Sequence, residues 1–387
     1  MVREQDAALS RKEARRRKKI KKLLNFDYTL LLIIVFILAF GLVMLYSTSA
    51  YGAALKRGDS VYYLKRQLFA ACLGFIGMFF STKIDYRRWE NLTFPFYIFS
   101  FFLCLAVIFM GSDINGQSRW FNIGGISIQP SELGKVAVIM LLANVISKSP
   151  KSQRDFKVVM KTFGICVAPI GAVVAYNNLS TGIIIMGIGF IMLFIASPKY
   201  MYFFGIAGVS FLLVLATIPF VGYRAGRIQA WLHPEDYISD TGYQTLQGLY
   251  AIGRGGLFGK GLGESMQKYI VPEAQNDMIF SIICEELGVF GAVCIILLYI
   301  LLLYRLLYIA NHAKDMFGSY ICIGIMTHIA LQVILNIAVV TNSMPNTGVT
   351  LPLISYGGTS VAILLTELGL ALSVSKNMEF KGDEEDV

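Results

Sequence analysis

The stretch Thr162 to Pro198, TFGICVAPIGAVVAYNNLSTGIIIMGIGFIMLFIASP, contains no Asp, Glu, Lys or Arg. A helix needs roughly 20 mostly apolar residues to cross the hydrocarbon core of a bilayer, so this stretch is too long for one span. Its polar break, Asn177-Asn178-Leu179-Ser180, is where a turn would sit, and the stretch reads as two membrane-spanning helices. Tyr28 to Leu55, Tyr200 to Tyr223 and Met316 to Thr366 are also free of charge, and the last splits again at Asn342-Ser343-Met344-Pro345-Asn346-Thr347-Gly348. Leu68 to Thr82, Leu92 to Ser112, the shorter Ser131 to Ile146 and Met278 to Tyr304 complete a set of ten spans. The predicted fold is an all-α polytopic membrane protein.

Composition agrees. Of 387 residues 56% are apolar and only 15% charged, where a soluble domain has about a quarter charged, and this excludes most soluble enzymes. The net charge is nevertheless +9. Cytoplasmic loops are enriched in Lys and Arg. With the N-terminus inside, 23 of the 34 basic residues fall on the cytoplasmic side and both termini are cytoplasmic. The run Arg11-Lys12-Glu13-Ala14-Arg15-Arg16-Arg17-Lys18-Lys19 lies just before the first span, so it reads as a topology determinant attracted to anionic membrane lipids, with no nucleic acid implied. No signal-peptide cleavage site follows it, and the first span is read as a retained anchor. The chain divides into a basic tail (1–27), a transmembrane domain (28–374) and a C-terminal tail (375–387).

Two long connections fall on the outer side of this topology, 219–276 and the loop from Gly111 to Pro130, and long loops in compact membrane proteins tend to be functional. The glycine cluster from Gly253 to Gly263 is not a nucleotide loop: Arg254 stands where the first glycine of a P-loop belongs and Gly261 where Ser or Thr belongs. It reads as a flexible loop whose backbone can approach a ligand closely. The six cysteines and three histidines are dispersed, which suggests neither a disulfide framework nor a metal site.

Ionisable residues inside spans are costly and mark functional sites by default. Glu285, Glu286 and Glu367 lie within predicted helices, while Glu132 and Asp277 sit at outer helix mouths. On a continuous helix Glu285 would lie about 80° round from Asp277 and roughly 12 Å deeper, so the two would line one polar cavity. Glu286 would face the opposite way and need another partner. Glu132 and Lys135, spaced i, i+3, share a face as a structural ion pair or as a functional one. Asp277 fits a helix N-cap as well as a catalytic carboxylate.

Four motifs occur in order: Asn115-Gly116-Gln117-Ser118-Arg119-Trp120-Phe121; Gln129-Pro130-Ser131-Glu132-Leu133-Gly134-Lys135; Pro272-Glu273-Ala274-Gln275-Asn276-Asp277-Met278-Ile279-Phe280 with Cys284-Glu285-Glu286-Leu287-Gly288; and Pro352-Leu353-Ile354-Ser355-Tyr356-Gly357-Gly358-Thr359-Ser360. Together they resemble the signatures of the SEDS family, the RodA, FtsW and SpoVE proteins. The segments Gly41 to Ser49 and Gly58 to Gln67 resemble its FtsW and SpoVE branch more than RodA. The resemblance implies a peptidoglycan glycosyltransferase that polymerises lipid II at the outer face of the cytoplasmic membrane and releases undecaprenyl pyrophosphate. It implies Asp277 as catalytic base, and Arg119, Trp120, Ser131, Glu132, Lys135, Glu285, Ser355, Gly357, Gly358 and Ser360 as substrate-binding residues. Arg119 and Lys135 would face the leaving pyrophosphate, with a divalent cation, Mg2+ or Mn2+, as a supplement, and Trp120 would stack on a sugar. The implied partners are a class B penicillin-binding protein and other divisome or elongasome membrane proteins. A lipid II flippase and a non-catalytic scaffold for that transpeptidase remain the alternatives. The chain departs from the family pattern twice: Asn276-Asp277-Met278 stands for Thr-Asp-Phe, and Asn177-Asn178-Leu179-Ser180-Thr181 for Pro-Asp-Leu-Gly-Thr.

Overall fold

The computed structural model describes residues 26–114, 117–123, 126–205, 229–237 and 241–378. Its helices are α1 (Tyr28–Arg57), α2 (Tyr62–Lys83), α3 (Thr93–Met110, preceded by a 3-10 turn, Tyr86–Leu92), α4 (Pro130–Lys148), α5 (Phe156–Cys166), α6 (Ala168–Asn177), α7 (Leu179–Ala196), α8 (Thr241–Gly255), α9 (Ile279–Asn311), α10 (Met316–Val340) and α11 (Gly358–Ser375). Among the described residues, eight helices are long and apolar enough to cross a membrane, or nine if α5 and α6 form one span bent by 46°. The bend falls where Pro169 removes a backbone donor and its ring disfavours the continuing helix. The expected span from Tyr200 to Tyr223 lies, beyond residue 205, outside the described residues, as do the tail 1–25 and residues 379–387.

The break predicted at Asn177-Asn178 is present. α6 ends at Asn177, and Asn178 caps α7 by accepting from the Thr181 N–H at 3.2 Å. The break after α10 is longer than predicted. Residues 349–357, read as part of the last span, are non-helical, and α11 starts only at Gly358, after Pro352 and the Gly357-Gly358 pair.

Connected helices alternate in direction, which defines two ends of the bundle. At one end, called the base, Arg305 donates two hydrogen bonds to Asp27, the Asp27 N–H donates to Ser375, and Tyr86 and Arg87 both donate to Asp315. The other end, called the mouth, carries residues 112–128, α8 and the segments 256–278 and 341–357. α4 runs through the centre, with 83% of its most apolar window buried against 28% for α3, whose Phe94, Phe99 and Phe102 face outward as a lipid-facing helix requires. α2 packs closely on α11: a Cβ on Gly369 would sit 2.7 Å from the Met78 carbonyl oxygen, so only glycine allows the approach.

The all-α expectation fails at the mouth. Residues 112–128 contain three antiparallel strands in the order β1 (Ser112–Ile114), β2 (Gln117–Ile123) and β3 (Ile126–Ile128). β2 and β3 flank the dipeptide Gly124-Gly125, a two-residue hairpin cue hidden between long apolar runs.

Candidate functional site at the mouth of the bundle

Asp277 is 9% exposed and lies just before α9. The helix angle between Asp277 and Glu285 therefore does not apply, because residue 277 belongs to the turn that precedes the helix. The cap reading fails as well: the N-cap is Met278, with no side-chain cap bond. The Asp277 carboxylate instead accepts a hydrogen bond from Gln244 Nε2 on α8 at 3.1 Å. Asn336 of α10 donates to the Asp277 carbonyl and to the Val349 carbonyl, at 2.7 and 2.8 Å, tying the turn to the segment 341–357. Burial pushes the Asp277 carboxyl up to about 6, and Glu273 adds to this; the donors, Gln244 among them, pull it down.

Glu132 and Lys135 form a second group. Pro130 starts α4 at a position where its missing N–H costs nothing, and Glu132 in the first turn suits the positive end of the helix. Lys135 Nζ lies 2.9 Å from Glu132 Oε1, and Ser360 donates to Glu132 Oε2 at 3.1 Å. The Lys135 contact has ion-pair distance without hydrogen-bond geometry, so a wholly buried ammonium keeps unused donors. The glycine-rich end of the fourth motif is clamped from α2 by Gln67, which donates to the Ser355 carbonyl and accepts from the Gly357 N–H. Thr359 donates to the Ser127 carbonyl of β3, and the Tyr356 N–H donates to the Gln275 carbonyl near Asp277. Ser355, Gly357, Gly358 and Ser360 thus lie along a segment that reaches both groups.

Arg119, on β2, donates to the Asn177 carbonyl at 3.0 Å. With Ser131, Gln129, Asn177 and Asn178 it lines a small cavity beside the start of α4. Asn178, where the family pattern carries an acid, performs the capping that either residue can supply. Trp120 is half-buried on the same strand.

Glu285 shares no described partner with Asp277. Its carboxylate accepts from Ser265 Oγ and from the Gln267 N–H, with Arg254 Nε at 3.8 Å. Glu286 accepts from Ser47 of α1 at 2.6 Å and lies 3.6 Å from Lys268 Nζ. The glycine cluster explains this placement. Inside α9, Gly288 adopts φ 69°, which breaks the helix, and the chain 256–261 fills the break: the Lys260 and Gly261 N–H groups donate to the Glu285 and Glu286 carbonyls, and the Val289 and Phe290 N–H groups donate to the Gly256 and Leu257 carbonyls. A Cβ at Gly259 would collide with the Glu286 carbonyl oxygen, and φ there is 80°. These glycines approach another stretch of backbone, which replaces the expectation that they approach a ligand.

Sequence reasoning missed Gln244, Asn346 and Asn336, and quoted Gln67 without giving it a role. Gln244 carries no charge that would flag it within a polar loop. Among the described residues no three His, Cys, Asp or Glu side chains are grouped to hold a metal ion, and all six cysteines are free.

The arrangement matches known proteins. A family model described as "Cell cycle protein", for the FtsW, RodA and SpoVE proteins, matches residues 28–379. The chain is 40% identical over 357 residues to stage V sporulation protein E of Bacillus subtilis (strain 168), covering 90% of this chain and 97% of that one. It is 36% identical to a probable peptidoglycan glycosyltransferase FtsW of Geobacter sp. (strain M18), covering 93% and 99%. A chain from a structure described as "Structural coordination of polymerization and crosslinking by a peptidoglycan synthase complex" superposes with TM-score 0.77 at 27% identity, over 92% of this chain and 99% of that one. The rod shape determining protein RodA of Thermus thermophilus superposes with TM-score 0.68 at 26% identity, over 92% and 98%. With its four motifs in order and a family match over nearly its whole length, the chain belongs to the FtsW, RodA and SpoVE family of cell cycle proteins.

Proposed function

We propose that the protein is a multi-pass enzyme of the cytoplasmic membrane, a peptidoglycan glycosyltransferase that polymerises lipid II. The mouth faces outward, both termini are cytoplasmic, and the spans number ten. The seventh falls on residues that are mostly outside those described; in support, α7 ends at the base and the chain is again at the mouth by Trp231, which donates to the Asn342 carbonyl. The basic residues Lys83, Arg87, Arg88, Lys148 and Lys157 sit at the base, as the charge bias of a cytoplasmic face requires.

The observation that carries this reading is Asp277, a buried carboxylate at the mouth held, among the described residues, by a neutral amide rather than a cation. Such a group can accept a proton near neutral pH. In the proposed reaction Asp277 takes the proton of an acceptor sugar hydroxyl, whose oxygen forms the new bond to the anomeric carbon of the donor with inversion. The bond from that carbon to undecaprenyl pyrophosphate breaks, and the leaving group keeps the electron pair. Arg119 and the incompletely bonded Lys135 would meet the developing phosphate charge. A divalent cation, Mg2+ or Mn2+, would supply further positive charge for the leaving pyrophosphate; since no cluster of carboxylates among the described residues would hold it, it would come with the substrate phosphates, as Mg2+ favours. A class B penicillin-binding protein is the proposed partner, in keeping with the similarity to a chain from a peptidoglycan synthase complex.

The transport alternative needs acids reachable from both ends. Glu285, Glu286 and Glu367 are each no more than 1% exposed and all are paired, which favours the enzyme. The test is polymerisation of lipid II by the purified protein with its transpeptidase partner, wild type against Asp277→Ala. The expected result is a loss of about 100-fold or more with complex formation intact. Unchanged polymer would overturn the base assignment.

A further inference from the structure

A carboxylate that serves as a base must be held in one orientation, and among the described residues the side chain that holds the Asp277 carboxylate is an amide. We infer that Gln244 is the positioning residue for Asp277, and that Asn346 fixes Gln244 in the donating orientation. This inference rests on the proposed role of Asp277.

An amide side chain can be turned over, exchanging its donor and acceptor ends, unless a neighbour decides the matter. Here a backbone N–H decides it, because it can only donate. The Gly348 N–H donates to Asn346 Oδ1 at 3.1 Å, so Asn346 presents its NH2 group on the other side. That NH2 donates to Gln244 Oε1 at 2.9 Å, so Gln244 in turn presents its own NH2. The Gln244 NH2 donates to Asp277 Oδ1 at 3.1 Å and reaches the Pro272 carbonyl at 3.3 Å, and both of those groups accept. Every link agrees in direction, and the chain ends on the one group that must be an acceptor when it acts.

Among the described residues, the elements packed on Asp277 contribute Gln244 from α8, Asn336 from α10 and Asn346 from the segment 341–357, all uncharged. The ionisable neighbour is Glu273 on the same turn, which itself accepts from Asn276 at 2.6 Å. A neutral donor steadies a carboxylate without pinning its proton affinity as low as an ammonium would. The hydrogen-bonded series runs from α8 to the loop that leads into α11.

The experiment is the pH–rate profile of lipid II polymerisation by the full chain with its transpeptidase partner. The variants are Gln244→Leu, the near-isosteric Gln244→Glu, Asn346→Leu and Asp277→Ala. Removing the donor should lower kcat at least tenfold and move the acid limb upward by about one to two pH units in both Gln244 variants. Asn346→Leu should move it in the same direction by less. A merely structural role predicts lower yield or poorer partner binding with an unmoved acid limb. If Asp277→Ala is inactive while Gln244→Glu keeps the wild-type kcat and acid limb, the inference alone is overturned. If Asp277→Ala polymerises at the wild-type rate, the base assignment fails and the inference falls with it.

Discussion

Asp277 and the pair Glu285-Glu286 are nearly neighbours in sequence, yet their surroundings differ in kind. Asp277 stands in the turn before α9 and receives neutral amide donors. Glu285 and Glu286 stand inside α9, and they receive a serine hydroxyl each, a backbone N–H at Glu285, and a cationic side chain, Arg254 or Lys268. Cations and local hydroxyls hold a carboxylate as part of the framework. An amide leaves it able to exchange a proton. The contrast separates the acid proposed to do chemistry from those that lock a broken helix to the loop around it.

Three measurements would break or sharpen that contrast. The largest effect should come from Lys268→Met, which strands a fully buried Glu286 without its cation. Breaking a buried pair from one side costs about 3–5 kcal/mol, read as a fall in the thermal midpoint of the detergent-solubilised protein, and the double variant Lys268→Met with Glu286→Leu should recover much of it. If the single variant is as stable as wild type, the lock reading of α9 is wrong. Gly259→Ala should follow, at about 2 kcal/mol or more, because the added Cβ meets the Glu286 carbonyl oxygen in a left-handed conformation. A stable Gly259→Ala protein would mean that the loop can leave the helix break freely. The smallest effect is pH. The Asp277 carboxyl is raised to about 6 by burial, so the basic form is half-populated there and grows as pH rises. Polymerisation should therefore fall about tenfold per pH unit below that point, a limb absent from any residual activity of Asp277→Ala. A flat profile from pH 5 to 7 in the wild type would remove Asp277 as the titrating base.

Much of the fold was legible in the residues. Uncharged length located nearly every described span, and Asn177-Asn178 located a helix junction to the residue. Misplaced were the ends governed by local stereochemistry: the strands around Gly124-Gly125, and the non-helical run from 349 to Ser355 to Gly357, where apolar residues fill the interior without helix. Of the site, Glu132 with Lys135 followed from helical spacing, and Ser360 joined them only in three dimensions. Arg119 and Ser131 share a cavity as neighbours, whereas Glu285 left the group assigned to it, because Gly288 and the glycine loop claim its surroundings.

The sequence alone determined that this chain crosses a membrane many times and which few charges it keeps there, since hydrophobic length and the cost of burying charge act locally along the chain. The tertiary structure decided what each charge does. Ser47 meets Glu286 across 239 positions, Gln67 meets Gly357 across 290, and Asn346 reaches Gln244 across 102. A hydrogen bond depends on distance and direction in space, and neither is encoded in the spacing of residues once the chain has turned back on itself.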